Sequence, residues 1–193
     1  MSEPPSHPPP SDYEPAPPAG EEPPLPVPAS NFDQAFAEVI GLEGGYVHDP
    51  DDYGGETNWG ISKRSYPEVD IKNLTQRGAK AIYLRDYWNR MRLPEVDDQD
   101  IAMEVFEQGV NLGTSRAITN LQKSLNIVGD YPIQVDGAIG PETLGAVEDI
   151  DTPEEKDALL KCLNGFQFSH YIDLVENNPK QAKFLVGWLK RIA

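Results

Sequence analysis

The sequence predicts a mainly α-helical fold with one small β-hairpin after the first helix. Three observations carry that expectation. Apolar residues recur at helical spacing in segment after segment. Helix start signals stand ahead of them, sharpest at Thr152-Pro153-Glu154-Glu155, which supplies a cap, a first-turn Pro and a capping-box Glu. One stretch, EGGYVHDPDDYGGETNWGI at residues 43–61, breaks the helical pattern with glycines and carboxylates.

The first helix follows Ser30, with Phe32, Phe36, Val39 and Ile40 on one face and Ser30 and Asp33 as a capping pair. Gly44 and Gly45 are expected to end it, which places Glu43 at the helix end. Residues 46–61 then read as a hairpin or irregular loop. A second helix follows Thr75, its inner stripe formed by Ala79, Ile82, Tyr83 and Tyr87. A third starts near Asp98 with Ile101, Ala102, Val105 and Phe106; its wide apolar arc suits a central buried helix, and Gly113 stops it. Thr114 or Ser115 can cap a fourth, with Ile118, Leu121 and Leu125 facing inward. Residues 129–140 form a loop, and Pro141 opens a short helix. The helix begun at Thr152 runs towards Asn177, and Asn178-Pro179 starts the last one, with Phe184, Leu185, Trp188, Leu189 and Ile192.

Residues 1–29 stand apart. They hold 12 of the 19 prolines and Glu3, Asp12, Glu14, Glu21 and Glu22, with no Lys or Arg. Such a composition cannot bury a core and reads as an extended linker or docking segment. The net charge of −16 argues against nucleic acid, whose binding rests on neutralising phosphates with Lys and Arg. It serves solubility, or it implies a partner that holds the protein at an anionic surface. No apolar run approaches membrane-spanning length, and no signal peptide is visible, so the expectation is synthesis in the cytoplasm with delivery by another route. The single cysteine, Cys162, excludes an intrachain disulfide and reads as a small core residue among Leu159, Leu160 and Leu163.

A Glu at a helix end, followed by a short loop of carboxylates, is one way to build a glycosidase. Partial burial keeps the first carboxyl protonated, and a second polar group holds water or stabilises a positive sugar. Glu43 is therefore a candidate general acid, although the helix pattern by itself is met more simply by a solvated helix-end Glu. Asp49, Asp51 and Asp52 follow, and Glu56 and Thr57 close the loop. Asp49 precedes Pro50 and equally suits a turn. Tyr46, Tyr53, Asn58 and Trp59 surround the candidate acid; aromatic faces stack on sugars and an Asn amide suits an acetamido group, although Trp59 could equally pack the hairpin onto the core. Tyr83, Tyr87 and Trp88 share one helix face and read as core. No metal is expected: a calcium loop starting at Asp49 fails at Tyr53 and at Gly60, and His7, His48 and His170 are scattered.

Several separated motifs, in order, resemble glycoside hydrolase family 108, the N-acetylmuramidases: Glu43-Gly44-Gly45-Tyr46, Asp49-Pro50, Gly54-Gly55-Glu56-Thr57-Asn58, Gly60-Ile61-Ser62, Tyr83-x-x-x-Tyr87-Trp88, Asn111-x-Gly113 and Phe184-Leu185-x-Gly187-Trp188-Leu189. Leu121-Gln122, Leu125 and Val135-Asp136-Gly137-x-Ile139-Gly140-Pro141-x-Thr143 resemble a peptidoglycan-binding type-3 region, although turn and helix-start chemistry explains those residues without a ligand. The resemblance implies a lysozyme-like helical fold, with a catalytic region at residues 30–95 and a helical peptidoglycan-binding-type region at 96–193 packed on it. It implies cleavage of peptidoglycan between N-acetylmuramic acid and N-acetylglucosamine, with no cofactor. Phage-type lysozymes have a similar layout, with an Asp nine residues after the Glu, here Asp52, and a Thr on the hairpin, here Thr57. Asp52 is accordingly the first candidate for the second catalytic group, with Thr57 as holder of water or substrate. Glu107 and Asn111, one turn apart on the third helix, resemble a polar pair lining the cleft. A phage or prophage setting follows, with residues 1–29 as a possible contact to virion or baseplate proteins. A lytic transglycosylase, or a non-catalytic assembly or peptidoglycan-binding protein of the same fold, are the alternatives.

Overall fold

The computed structural model describes residues 31–41, 45–48, 55–129 and 132–192. Ser30, Glu43, Asp49, Asp51, Asp52, Tyr53 and the whole of residues 1–29 lie outside the described residues. Among the described residues the chain is mostly helical, with seven α-helices and one three-stranded antiparallel sheet, as expected of a lysozyme-like helical fold. It divides into two compact units, one ending at Arg90 and the other running from Met91.

In the first unit, α1 (Asn31–Ile40) buries Phe32, Ala35 and Phe36. Phe32 packs at 5.6 Å from Trp88, and Phe36 meets Tyr83 edge-on at 5.8 Å. Lys80 clamps the other side, paired with Asp33 and lying over both Phe rings. The helix stops earlier than the sequence suggested. Gly41 takes a positive φ of 70° while its N–H still reaches the Ala37 carbonyl, so the stop is Gly41 and not the Gly44-Gly45 pair.

The sheet is a meander of β1 (Val47–His48), β2 (Glu56–Asn58) and β3 (Ile61–Ser62), one strand more than a hairpin. Asn58 pairs with Ile61, so Trp59 and Gly60 make a two-residue turn, both with positive φ (52° and 75°). That is the turn whose twist matches antiparallel strands, and a Trp at its first position carries a steric cost. Two contacts hold it. The Tyr83 hydroxyl donates to the Trp59 carbonyl at 3.2 Å, and the Asn58 amide donates to the carbonyls of Ile71 and Leu74 at 3.0 and 3.1 Å.

Thr75 caps α2 (Gln76–Tyr83) by accepting from the Gly78 N–H, and Ala79, Ile82 and Tyr83 face inward as expected. The α-geometry does not continue to Tyr87: Leu84–Asn89 form a π-helical turn. The wider turn admits an extra residue and shifts the inner stripe. Asp86 and Trp88 become the buried pair, and Tyr87 is half-buried. Asp86 accepts from the Tyr66 hydroxyl at 3.0 Å and from Arg85 through two nitrogens at 2.6 and 2.8 Å, which compensates the cost of burying a carboxylate.

In the second unit, α3 (Gln99–Leu112) is capped by Asp98, which accepts from the amides of Asp100 and Ile101. It packs against α4 (Thr114–Val128) and α6 (Pro153–Asn177). Lys156 on α6 bridges Asp98 and Asp100 at 2.8 and 2.6 Å. Gly113, at φ 91°, ends α3 and begins α4 by itself; Thr114 and Ser115 fall inside the first turn rather than capping it. Thr152 and Glu155 form the expected capping box, and α5 (Pro141–Glu148) starts at its Pro. The last segment begins with a 3-10 turn, Pro179–Gln181, before α7 (Ala182–Leu189), which stacks Trp188 on Tyr171 at 5.3 Å. Cys162 is half-buried.

Gln122, 1% exposed, organises the loop before α5. Its amide nitrogen donates to Asp136, Ala138 and Thr143, and its oxygen accepts the backbone N–H groups of Asp136 and Gly137. Asn126, one turn on, exchanges both kinds of hydrogen bond with the backbone of Ile133. The Asp136-Gly137 motif thus serves the fold directly.

Two substitutions test these assignments. Gln122→Ala strands two part-buried N–H groups and lowers stability by about 1–3 kcal/mol, read from denaturant midpoints, with faster hydrogen exchange at Asp136 and Gly137. In Gly60→Ala a Cβ would sit 2.5 Å from the Tyr83 hydroxyl on a positive-φ backbone; the expected loss is about 2 kcal/mol, and an unchanged melting temperature would contradict it.

Candidate active site

The sheet of the first unit carries four of the sequence-predicted site residues. Thr57 lies at its centre, paired with Val47 on one side and Ser62 on the other, and is half-buried. Side chains alternate across a strand, so Thr57 shares a face with Val47 and Ser62. Glu56 and Asn58 point to the other face. Asn58 points inward and is 6% exposed, with its amide nitrogen committed to the carbonyls of Ile71 and Leu74. Trp59 is half-buried, and its backbone carbonyl is what Tyr83 holds.

Tyr46 is exposed just ahead of β1. Desolvation raises its phenol pKa, followed by the hydrogen bond to Glu56 and the negative charges of Glu56 and Asp70. Its ring lies 6.5 Å from that of His48, which is paired across the ladder with Glu56. Glu56 and His48 were not singled out in the sequence as binding residues. The signal that could have found them is strand alternation from Tyr46, which needs the pairing register to be known.

Glu107 and Asn111 lie elsewhere, on α3 in the second unit. The Asn111 amide donates to the Glu107 carbonyl at 2.9 Å and to its carboxylate, and Gln167 on α6 donates to the other carboxylate oxygen at 2.7 Å. Gln167 is fully buried and also donates to the Tyr171 hydroxyl at 2.9 Å. Burial pushes the Glu107 carboxyl up to about 7; the Gln167 hydrogen bond and the Arg191 charge oppose the rise, and Glu104 adds to it. One turn back, buried Gln108 donates to Glu104 and accepts from Asn120 on α4. Burial raises Glu104 as well. A polar chain thus runs through the α3 interfaces with α4 and α6. Sequence reading found the Glu107–Asn111 pair but missed Gln167 and Tyr171, because a helix pairing 60 residues away leaves no local signature. Among the described residues no group of three or more His, Cys, Asp or Glu could hold a metal ion, and no helix is long and apolar enough to cross a membrane.

Residues 36–113 match the family model for Glycosyl hydrolase 108. Residues 116–193 match a second, described as "Predicted Peptidoglycan domain". Among solved structures the chain is similar to Brucella abortus SagA, at 28% identity over 83% of this chain and 88% of that one, with a TM-score of 0.65. No curated protein sequence matches. The two family matches support a peptidoglycan-acting protein of the glycoside hydrolase class. The glycosyl hydrolase 108 match takes in the Glu43 motif, the whole sheet and α3. Glu107 and Asn111 thus fall in the first matched region and their partners Gln167 and Tyr171 in the second, within one compact unit.

The raised Glu107 carboxyl makes a testable demand. Its folded pKa of about 7 lies above the ordinary 4.5 of an unfolded Glu. Between those values the unfolded chain loses the proton and the folded one keeps it, so stability falls as pH rises through that window, on the order of 3 kcal/mol in all. Glu107→Gln removes this term. Urea midpoints at pH 5 and 7.5 should show the wild type losing about 2–3 kcal/mol relative to the variant; parallel pH profiles would contradict the assignment.

Proposed function

We propose that the protein is an N-acetylmuramidase that hydrolyses the bond between N-acetylmuramic acid and N-acetylglucosamine in peptidoglycan. The observation that carries this reading is the glycosyl hydrolase 108 match over residues 36–113, which encloses the Glu43 motif and the sheet that follows it. In this reading Glu43 donates its proton to the glycosidic oxygen as the bond to the anomeric carbon breaks. Water adds to that carbon and gives up its own proton. Asp52 is the carboxylate that takes this proton or shields the positive charge, and Thr57 holds the water or the sugar. The geometry supports a role for Thr57 in one respect: it stands at the middle of the sheet, with its neighbours on both sides fixed by the ladder. Tyr46, expected among the substrate-binding residues, is exposed beside His48 and takes no part in the bond cleavage in this reading. No organic cofactor or metal enters the reaction.

Two observations shape the rest of the site. The Asn58 amide is spent on the Ile71 and Leu74 carbonyls, so only its oxygen remains for a substrate. The Glu107 carboxylate and the Asn111 amide nitrogen are engaged with each other, and Gln167 holds the second carboxylate oxygen, so for either to donate to or accept from a glycan through these atoms the network must open.

The test is product analysis by mass spectrometry after incubation of purified peptidoglycan with wild type and Glu43→Gln. Reducing-end muropeptides are expected from the wild type, with the rate falling about 10²–10⁴-fold in the variant. Products lighter by one water would make the protein a lytic transglycosylase. A wild type that releases nothing while binding the polymer would make it a binding or assembly protein.

A further inference from the structure

The outer corner of the sheet holds an arrangement that the catalytic reading does not use. Tyr46, just ahead of the edge strand, and His48, within it, are both exposed, their rings 6.5 Å apart and inclined by 42°. Glu56 sits across the ladder from His48 and so faces the same side of the sheet. The ring contact places Tyr46 beside the imidazole. By strand alternation this is the face opposite Thr57, which points away with Val47 and Ser62. Further along the same face, Asn58 and Ile61 turn inward and are covered, so the open part is confined to the Tyr46–His48–Glu56 corner.

We propose that Tyr46, His48 and Glu56 form a second glycan-holding site, on the face of the sheet opposite Thr57, that takes a neutral N-acetylhexosamine unit. Two flat rings inclined to one another make a shallow corner for the C–H face of a pyranose. Glu56 supplies a carboxylate acceptor beside them, suited to a sugar hydroxyl or an acetamido N–H. The Glu56 carboxylate repels the lactyl carboxylate of N-acetylmuramic acid, so the preferred unit is N-acetylglucosamine. The site rests on the reading of a glycan as substrate. It holds a strand that Glu43 cuts elsewhere, and so acts on affinity more than on the chemical step.

The probe is tetra-N-acetylchitotetraose, titrated by NMR into full-length Glu43→Gln protein so that hydrolysis plays no part. Expected are shifts of the Tyr46 and His48 ring resonances, and at least a fivefold weaker Kd when Tyr46→Ala or His48→Ala is added, with the rest of the spectrum unchanged. In the Glu43 background the His48→Ala protein should show a KM on peptidoglycan that rises more than kcat falls. Shifts that avoid the corner, or double variants that bind as tightly as the parent, would overturn the proposal. The titration does not depend on turnover: a wild type that fails to cut peptidoglycan defeats the muramidase reading and leaves the binding result to decide the corner on its own.

Discussion

The hydroxyl of Tyr83 reaches out of α2 and donates to the carbonyl of Trp59, and the arrangement of the first unit depends on that contact. A sheet with strands of two and three residues has too few ladder bonds to hold itself together. Its tightest turn places a tryptophan in a backbone region that non-glycine residues avoid. Tyr83 and the Asn58 amide anchor that turn to α2 and to the 71–74 loop. Tyr83 in turn packs on Phe36 of α1, so one side chain joins the helix before the candidate acid to the sheet after it. Its phenol is fully buried, and burial raises its pKa beyond any physiological range, so the donor stays protonated.

Each unit takes a carboxylate wholly or partly out of water, Asp86 in one and Glu107 in the other, and compensates it differently. Asp86 sits on the π-helical turn and has a full charge partner in Arg85 as well as the Tyr66 hydroxyl. Glu107 has amide donors from Asn111 and Gln167, and its nearest charged influences are opposed, Glu104 against Arg191. Neutral donors compensate burial only in part. The first arrangement is an electrostatic clamp; the second is a proton-holding group inside a helical interface.

Much of this was legible beforehand, and the failures have physical causes. The helix cores at Ile101–Phe106 and Ile118–Leu125, the Thr152 capping box and the Pro141 start all follow from local rules of spacing and capping. The end of α1 was misplaced because Gly41, Gly44 and Gly45 are all competent stops, and only backbone geometry selects Gly41. The π-helical turn was invisible because its pattern mimics a continued α-stripe through Tyr87. Tyr46 was singled out by its chemistry and Thr57 by the resemblance, but the faces of the sheet they occupy were not legible, because register decides them and strands this short do not reveal register. Gln122 showed only as part of a motif, and its five hydrogen bonds depend on a loop that returns to α4 from 14 or more residues away.

Gly113 is the whole connection between α3 and α4. The boundary between the two family matches falls there, at 113 and 116, yet α3 buries Ile101, Val105, Phe106 and Leu112 against helices from the far side of it. The recognisable segments are therefore not interchangeable cassettes. A gene fragment ended at that glycine would carry α3 with its apolar face uncovered, and a recombination event that swapped everything after it would have to reproduce the face of α4 and α6 that α3 fills. One shared helix thus ties the folding of the two matched regions together.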